Sequence, residues 1–377
     1  MAVPAGVHVR TTNRNCTETR HSYCLNSGEH PGQRRTSQEV TVIGVYVGHV
    51  STQDRLYGFL HSILSDQLGQ WRRHPRFRAF RLNGSNEVYG YEESHSHARI
   101  ICKFYGPKFG WDRERAARVA YQEHEAMERL RGYDLVGSPH HVIRPLGVDP
   151  DTNCVIATEF YKGEPFFHAI RRATHHGDDA HLYWRLKALA YFLATQHNRS
   201  ASGETVDFDV DTAYLRYLLS VLQRRNKIGQ WDCDELLWLS GLWRMRPRMW
   251  SDRQVLLHGD ATPANFLFGH GLDVAAIDLE RTAPGDRMFD VGRVAGELQH
   301  AFMSATGSRH RAEPFIGHFL WEYSCHFPDR EVTFASITSR VPYYMGLNLL
   351  RIARNDYVDD HYRRRLIRQA KRHLRAA

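Results

Sequence analysis

The residues best suited to chemistry lie in the run from Val255 to Leu279, VLLHGDATPANFLFGHGLDVAAIDL. Three apolar residues lead into His258-Gly259-Asp260, and Asn265 follows the aspartate by five positions. Two short apolar runs, Phe266 to Phe268 and Val274 to Ile277, then flank a Gly-His-Gly turn and end at Asp278. A hairpin of that length returns the chain to its start, which predicts that Asp260, Asn265 and Asp278 converge. Such a set suits phosphoryl transfer: Asn265 and Asp278 offer the hard oxygen atoms that Mg²⁺ takes beside a phosphate chain. Asp260 is left to orient an alcohol and accept its proton. Each element alone has an ordinary structural explanation, since His-Gly-Asp turns are common and an aspartate there is often a cap. The conjunction carries the reading.

The HxDxxxxN pattern, followed by an apolar hairpin and Ile277-Asp278, resembles the catalytic core of the aminoglycoside phosphotransferase and choline kinase superfamily. The resemblance implies a set of upstream partners. Asn83-Gly84-Ser85-Asn86-Glu87-Val88-Tyr89 resembles the phosphate loop, which puts Gly84, Ser85 and Asn86 against the phosphates of ATP. Lys103 in RIICKFYG resembles the strand lysine on the α/β-phosphate oxygens, and Glu123 in YQEHEAMERL the helix glutamate that holds its ammonium, with Glu125 as the rival. VIATEFYKGEPF resembles the hinge, placing Glu159 and Phe160 beside the adenine. The implied catalytic set is therefore Asp260, Lys103, Glu123 and His258, with Asn265 and Asp278 on Mg²⁺. Downstream, GDRMFD resembles the element after the metal aspartate, with Asp290 bracing the catalytic loop, and RLKALAYFLATQHN, ending near His197, resembles the helix beneath that loop.

The likeness runs from about residue 53 to at least residue 300. It departs from the family in two ways. The phosphate loop has one glycine where many relatives have two, which shifts weight to Ser85 and Asn86; and Arg287 stands where proline is commoner. Residues 205–250 and 301–377 match no single subfamily, so the acceptor, a small molecule with a hydroxyl group, stays open among aminoglycosides, amino alcohols and sugar-like compounds. Asp207, Asp209, Asp211, Asp232, Asp234 and Glu235 would suit a cationic acceptor, or serve equally as helix caps and solvated surface. Two other readings are a kinase-like regulatory protein without turnover, opposed by the intact Lys103, Asp260, Asn265 and Asp278, and a protein kinase, opposed by the lack of an APE-like segment after Asp278.

The elements that must hold these residues point to an α+β, protein-kinase-like two-lobed fold. Runs of β-type between Phe77 and Tyr105 predict a small antiparallel sheet, with a helix over about 113–131 and strands at 141–147 and 154–161. Helical spacing dominates after Gly163. The expected organisation is a disordered tail over 1–50, an N-lobe over 51–161 and a C-lobe over 162–377. An amphipathic helix spanning Leu56 to Leu68 opens the N-lobe, with Ser51 or Thr52 as its cap.

With 377 residues and 42% apolar content, the chain is long enough for two cores. Its net charge of +8 lies largely in Arg10 to Arg35 and His361 to Arg375 and comes with no nucleic-acid-binding signature, which argues against a nucleic-acid partner. The closing basic run has apolar residues at helical spacing and predicts an amphipathic helix on the C-lobe. Six cysteines without a CxxC pair, no apolar run of membrane-spanning length and no signal-type N-terminus point to a reducing cytoplasm. Oligomeric state is not legible.

Overall fold

The computed structural model describes residues 44–82, 87–106 and 111–377; residues 1–43, and with them most of the expected tail, lie outside the described residues, as do Gly84, Ser85 and Asn86. In chain order the strands are β1 (Val45–His49), β2 (Phe77–Arg81), β3 (Glu87–Glu93), β4 (Arg99–Phe104), β5 (Val136–Gly137), β6 (His140–Val142), β7 (Pro145–Asp149), β8 (Val155–Glu159), β9 (Glu164–Pro165), β10 (Gln254–Leu256), β11 (Phe266–Phe268), β12 (Val274–Ala276) and β13 (Pro284–Asp286). The helices are α1 (Arg55–Ser62), α2 (Arg113–Arg131), α3 (Phe166–His176), α4 (Asp179–Arg199), α5 (Phe208–Arg224), α6 (Gln230–Arg244), α7 (Met288–Thr306), α8 (Glu313–Ser324), α9 (Arg330–Ala353) and α10 (Asp360–Leu374). They fall into two units: the described part of Met1–Ala120 with Leu146–Phe160, and Tyr121–Pro145 with Tyr161–Ala377.

The first unit is a six-stranded sheet in the order β1-β2-β3-β4-β8-β7, antiparallel from β1 through β8. Period-two patterning sets its face. Ile100, Cys102 and Phe104 on β4 and Phe77 and Ala79 on β2 pack on Leu56 and Leu60 of α1 and on Ile63 and Leu64 of the π-helical turn that continues it. The cap of α1 is Asp54, whose carboxylate accepts from the Leu56 amide at 3.0 Å, and not Ser51 or Thr52.

The tail expected to reach residue 50 is shorter at that end. β1 pairs with β2 from Val45↔Arg81 to His49↔Arg78, and the Val50 amide donates to the Phe77 carbonyl at 3.0 Å. Gly48, at φ 136°, permits the irregularity in register beside Tyr46. A β-branched run with a neighbour to pair with satisfies its backbone in the sheet. Removing it strips β2 of one of its two partners and creates a bare edge. A truncated chain beginning at Ser51 is therefore expected to lose soluble, cooperatively melting protein, whereas one beginning at Gly44 keeps it; equal melts for the two would remove β1 from the fold.

The second unit is mainly helical around a five-stranded sheet in the order β5-β6-β12-β11-β9. The segment expected as one strand over 141–147 is divided between the units: β6 runs parallel to β12 in this sheet, while β7 belongs to the other. The fold is thus the expected α+β class. Across it, α10 buries Leu366, Ile367, Ala370 and Leu374 and packs on α9, as the spacing of the basic run predicts. The four described cysteines, 102, 154, 233 and 325, are unpaired. Among the described residues no helix is long and apolar enough to cross a membrane.

A buried acid pair ties α5 to β13 and α9. The Tyr344 hydroxyl lies 2.9 Å from the Asp211 carboxylate and 2.8 Å from that of Asp286, which also accepts from Arg340 at 2.8 Å. One phenolic hydrogen cannot serve two carboxylates, so Asp211 is the group that keeps a proton. Burial and the Asp286 charge push it up to about 8, against the Tyr344 hydrogen bond and Arg340. Its folded value exceeds the ordinary one, so the folded state binds the proton more tightly and stability falls as pH rises from about 4 to about 8. Asp211→Asn is expected to remove that slope. Melting temperatures of the two proteins across this range should diverge in favour of the variant as pH rises, and parallel curves would contradict the assignment.

Candidate active site

β10 delivers the chain into His258-Gly259-Asp260, and the turn that follows is fixed from below. Asp290, fully buried near the start of α7, accepts the His258 amide at 2.7 Å and the Gly259 amide at 3.0 Å. His197 on α4 reaches the same carboxylate at 3.3 Å, and its other ring nitrogen meets the Tyr323 hydroxyl at 2.9 Å. Burial would raise the Asp290 carboxyl, but His197, His258 and the loop amide hold it below the ordinary aspartate value. Gly259 has φ +77°, and a Cβ there would lie 2.0 Å from the Arg281 carbonyl oxygen, so no other residue fits without moving backbone. His258 itself is buried, packs on Phe266 with ring centroids 5.0 Å apart, and turns Nδ1 toward the Asp260 amide at 3.4 Å.

The hairpin β11–β12, with Phe266 opposite Ala276, brings Asn265 and Asp278 together: the Ile277 amide donates to the Asn265 carbonyl at 3.0 Å. The Asn265 side-chain amide donates to the Asp260 carbonyl at 2.9 Å. Asp278 adopts a left-handed conformation, φ +60°, which costs a non-glycine residue of order 1 kcal/mol and turns the chain sharply at the end of the hairpin. One oxygen of each of Glu123, Asp278 and Glu280 lies within 4.8 Å of the others. Glu280 was not singled out from the sequence, although its place two residues after Asp278 is the spacing that could have marked it. Glu123, at the unit-two end of α2, thus stands with the candidate metal ligands.

Asp260 has company that the sequence did not announce. Its Oδ1 accepts from Arg293 of α7 at 2.7 Å and from Arg351 of α9 at 2.9 Å. Arg293 also donates to the Gly259 carbonyl at 2.7 Å, and Arg351 to Glu297 at 3.2 Å. Burial would raise the Asp260 carboxyl, but Arg351, Arg293 and Arg281 outweigh it and keep the group below the ordinary aspartate value. Among the described residues Oδ2 makes no hydrogen bond. No pattern of spacing links positions 260, 293 and 351, so only the packing of α7 against α9 reveals them.

In the first unit, Lys103 sits mid-strand on β4 opposite Val88 and Ile156, with its ammonium 4.8 Å from the Tyr105 ring centroid. Glu159 ends β8, and the guanidinium of Arg99 lies 5.0 Å from the centroid of the Phe160 ring.

The profile of the phosphotransferase enzyme family matches residues 76–324, about two thirds of the chain. The chain belongs to that family. No curated protein sequence matches it significantly. Solved structures give the fold of this family member at low identity. An ethanolamine kinase from Plasmodium vivax aligns with TM-score 0.54 and 14% identity over 85% of this chain and 87% of its own. A putative fructosamine-3-kinase from Haemophilus somnus aligns with TM-score 0.53 and 13% identity over 82% and 96%. A choline kinase from Streptococcus pneumoniae aligns with TM-score 0.52 and 14% identity over 85% and 99%. The fold is therefore kinase-like, a β-rich N-terminal unit and a larger helical C-terminal one.

Proposed function

We propose that this family member transfers the γ-phosphate of ATP, with Mg²⁺, to a hydroxyl of a small neutral or anionic molecule. The observation that carries the reading is the convergence, within one unit, of a rigidly held Asp260 with Asn265 and the Glu123, Asp278 and Glu280 carboxylates. That donor set is all hard oxygen, and the Asn265 amide nitrogen is spent on the Asp260 carbonyl while its oxygen is left for a cation, so the residues fit Mg²⁺. Mg²⁺ bound there would neutralise charge on the phosphate chain. The family likeness assigns Lys103, Gly84, Ser85 and Asn86 to the phosphates, and the backbone around Glu159 and Phe160 to the adenine. His258 acts through the loop as a positioning residue.

Asp260 orients the acceptor. With Oδ1 held by two guanidiniums, Oδ2 is the atom offered to the acceptor hydroxyl, and the carboxylate stays ionised. Because the transition state is loose, alignment of the hydroxyl matters more than early removal of its proton. The guanidiniums of Arg293 and Arg351 are matched by Asp260 and Glu297, which leaves no surplus carboxylate in that set for a cation. Of the acidic residues suited to a cationic acceptor, Asp207 caps α5, Asp209 pairs with Arg244, Asp211 is buried on Tyr344, Asp234 accepts from Gln230, and Asp232 and Glu235 pair with Lys371. A cytoplasmic setting agrees with the free cysteines and supplies the donor. The test is a transfer assay with Mg²⁺ and ATP labelled on the γ-phosphate, against hydroxyl compounds grouped as cationic, neutral and anionic. Label is expected in the neutral or anionic group; turnover confined to cationic amines would overturn the acceptor assignment.

A further inference from the structure

A second feature lies apart from the residues just described. Between the C-terminal end of α7, the turn after it and one face of α10 is a cavity of about 400 Å³ lined by Arg309, Arg365, Arg368 and Arg372, with His310 and Gln369. Arg365, Arg368 and Arg372 recur at helical spacing and so share one side of α10. No lining residue is a carboxylate. The His310 ring lies 2.8 Å from the Glu313 carboxylate.

Ordinary structural duties account for only part of this charge. Arg365 donates to the Gly307 carbonyl at 2.8 Å and so caps the end of α7, where a cation is favoured by the helix dipole. Arg309 and Arg372 share one neutral acceptor, the Gln369 side-chain oxygen, at 3.1 and 3.4 Å. Arg368 has neither hydrogen bond nor ion pair among the described residues. Among the described residues none of the four guanidiniums makes a salt bridge, and the field they create reaches the neighbouring His373, whose ring is pushed down to about 4 by burial and by Arg309. Like charges gathered round a concavity repel one another, and an anion placed among them relieves the repulsion.

We propose that this cavity binds a compact soluble anion bearing two or three phosphate groups. Guanidinium forks match phosphate oxygens in pairs, and several on one concave face favour an extended phosphate chain over a single small anion. The volume is at the lower end of ligand sites, of order 300–1,000 Å³, which suits a small molecule and leaves little room for a nucleic-acid duplex. Arg309, Arg368 and Arg372 supply the binding charge, and Arg365 closes the wall.

The experiment is titration calorimetry of the full chain with inorganic tripolyphosphate in metal-free buffer near physiological ionic strength, on wild type, Arg368→Ala/Arg372→Ala and Lys103→Ala. Wild type is expected to bind one equivalent saturably, Lys103→Ala to bind equally, and the double variant to bind at least about tenfold more weakly. The double variant should melt no lower than wild type without ligand, since it removes repulsion at exposed positions. Absence of saturable binding, binding that survives in the double variant, or binding lost only in Lys103→Ala would each overturn the proposal. A parallel sedimentation with vesicles containing phosphatidic acid separates the sources of phosphate: capture by vesicles without binding of free tripolyphosphate would assign the face to a membrane and also overturn it.

Discussion

Asp260→Ala is expected to lower kcat for phosphate transfer by at least about 10²-fold while ATP binding stays near wild type. The split follows from the proposed assignment, which gives the acceptor to Asp260 and the nucleotide to other residues. Alanine also leaves Arg293 and Arg351 without their shared carboxylate, and a buried pair that loses one partner is destabilising by several kcal/mol, of order 3–5. Asp260→Asn, which keeps the shape, is therefore the companion variant. Single-turnover transfer, nucleotide titration and thermal melts on all three proteins separate lost chemistry from lost folding. Transfer by folded Asp260→Asn within about tenfold of wild type would remove Asp260 from its role.

Asp278→Asn is expected to raise the Mg²⁺ concentration needed for half-maximal activity and to cut maximal transfer strongly. Asparagine tolerates the left-handed backbone at this position better than other residues, so the change removes charge with least disturbance of the turn. Asn265→Ala acts in the same direction but less severely, because it removes a neutral oxygen, and it also frees the Asp260 carbonyl from its side-chain donor. Glu280→Gln should resemble Asp278→Asn if the three-carboxylate cluster holds the cation. A magnesium titration at saturating ATP measures all three. Unchanged metal dependence in both Asp278→Asn and Glu280→Gln would place the cation elsewhere.

How much could be read from residues alone depended on whether the signal was local. His258, Asp260, Asn265 and Asp278 flank one short hairpin, so their spacing already favoured their meeting, and strand periodicity marked the sheet that carries Lys103. The bracing of the loop by Asp290 and His197 followed from the family likeness and has a direct counterpart in the hydrogen bonds to the His258 and Gly259 amides. What the sequence hid was long-range. Arg293 and Arg351 sit on helices far along the chain, and basic residues on helices are ordinarily solvent-facing, so nothing marked them as partners of Asp260. β1 was ambiguous for another reason: the Val40 to Val50 run is β-branched enough for an edge strand, but an edge strand pairs on one side only and its apolar pattern is brief enough to pass for a tail. The 141–147 run misled because a continuous apolar stretch does not show where the chain leaves one sheet and enters another.

The central claim is that the γ-phosphate of ATP leaves for an organic hydroxyl. Isotopic tracing decides it: wild type and Asp260→Asn are each incubated with Mg²⁺, ATP carrying ¹⁸O in the γ-phosphate and a pool of neutral and anionic hydroxyl compounds, and labelled phosphomonoesters are sought by mass spectrometry. A labelled phosphomonoester is expected from wild type and none from Asp260→Asn. Label found only in inorganic phosphate, or a phosphomonoester formed equally by both proteins, would contradict it.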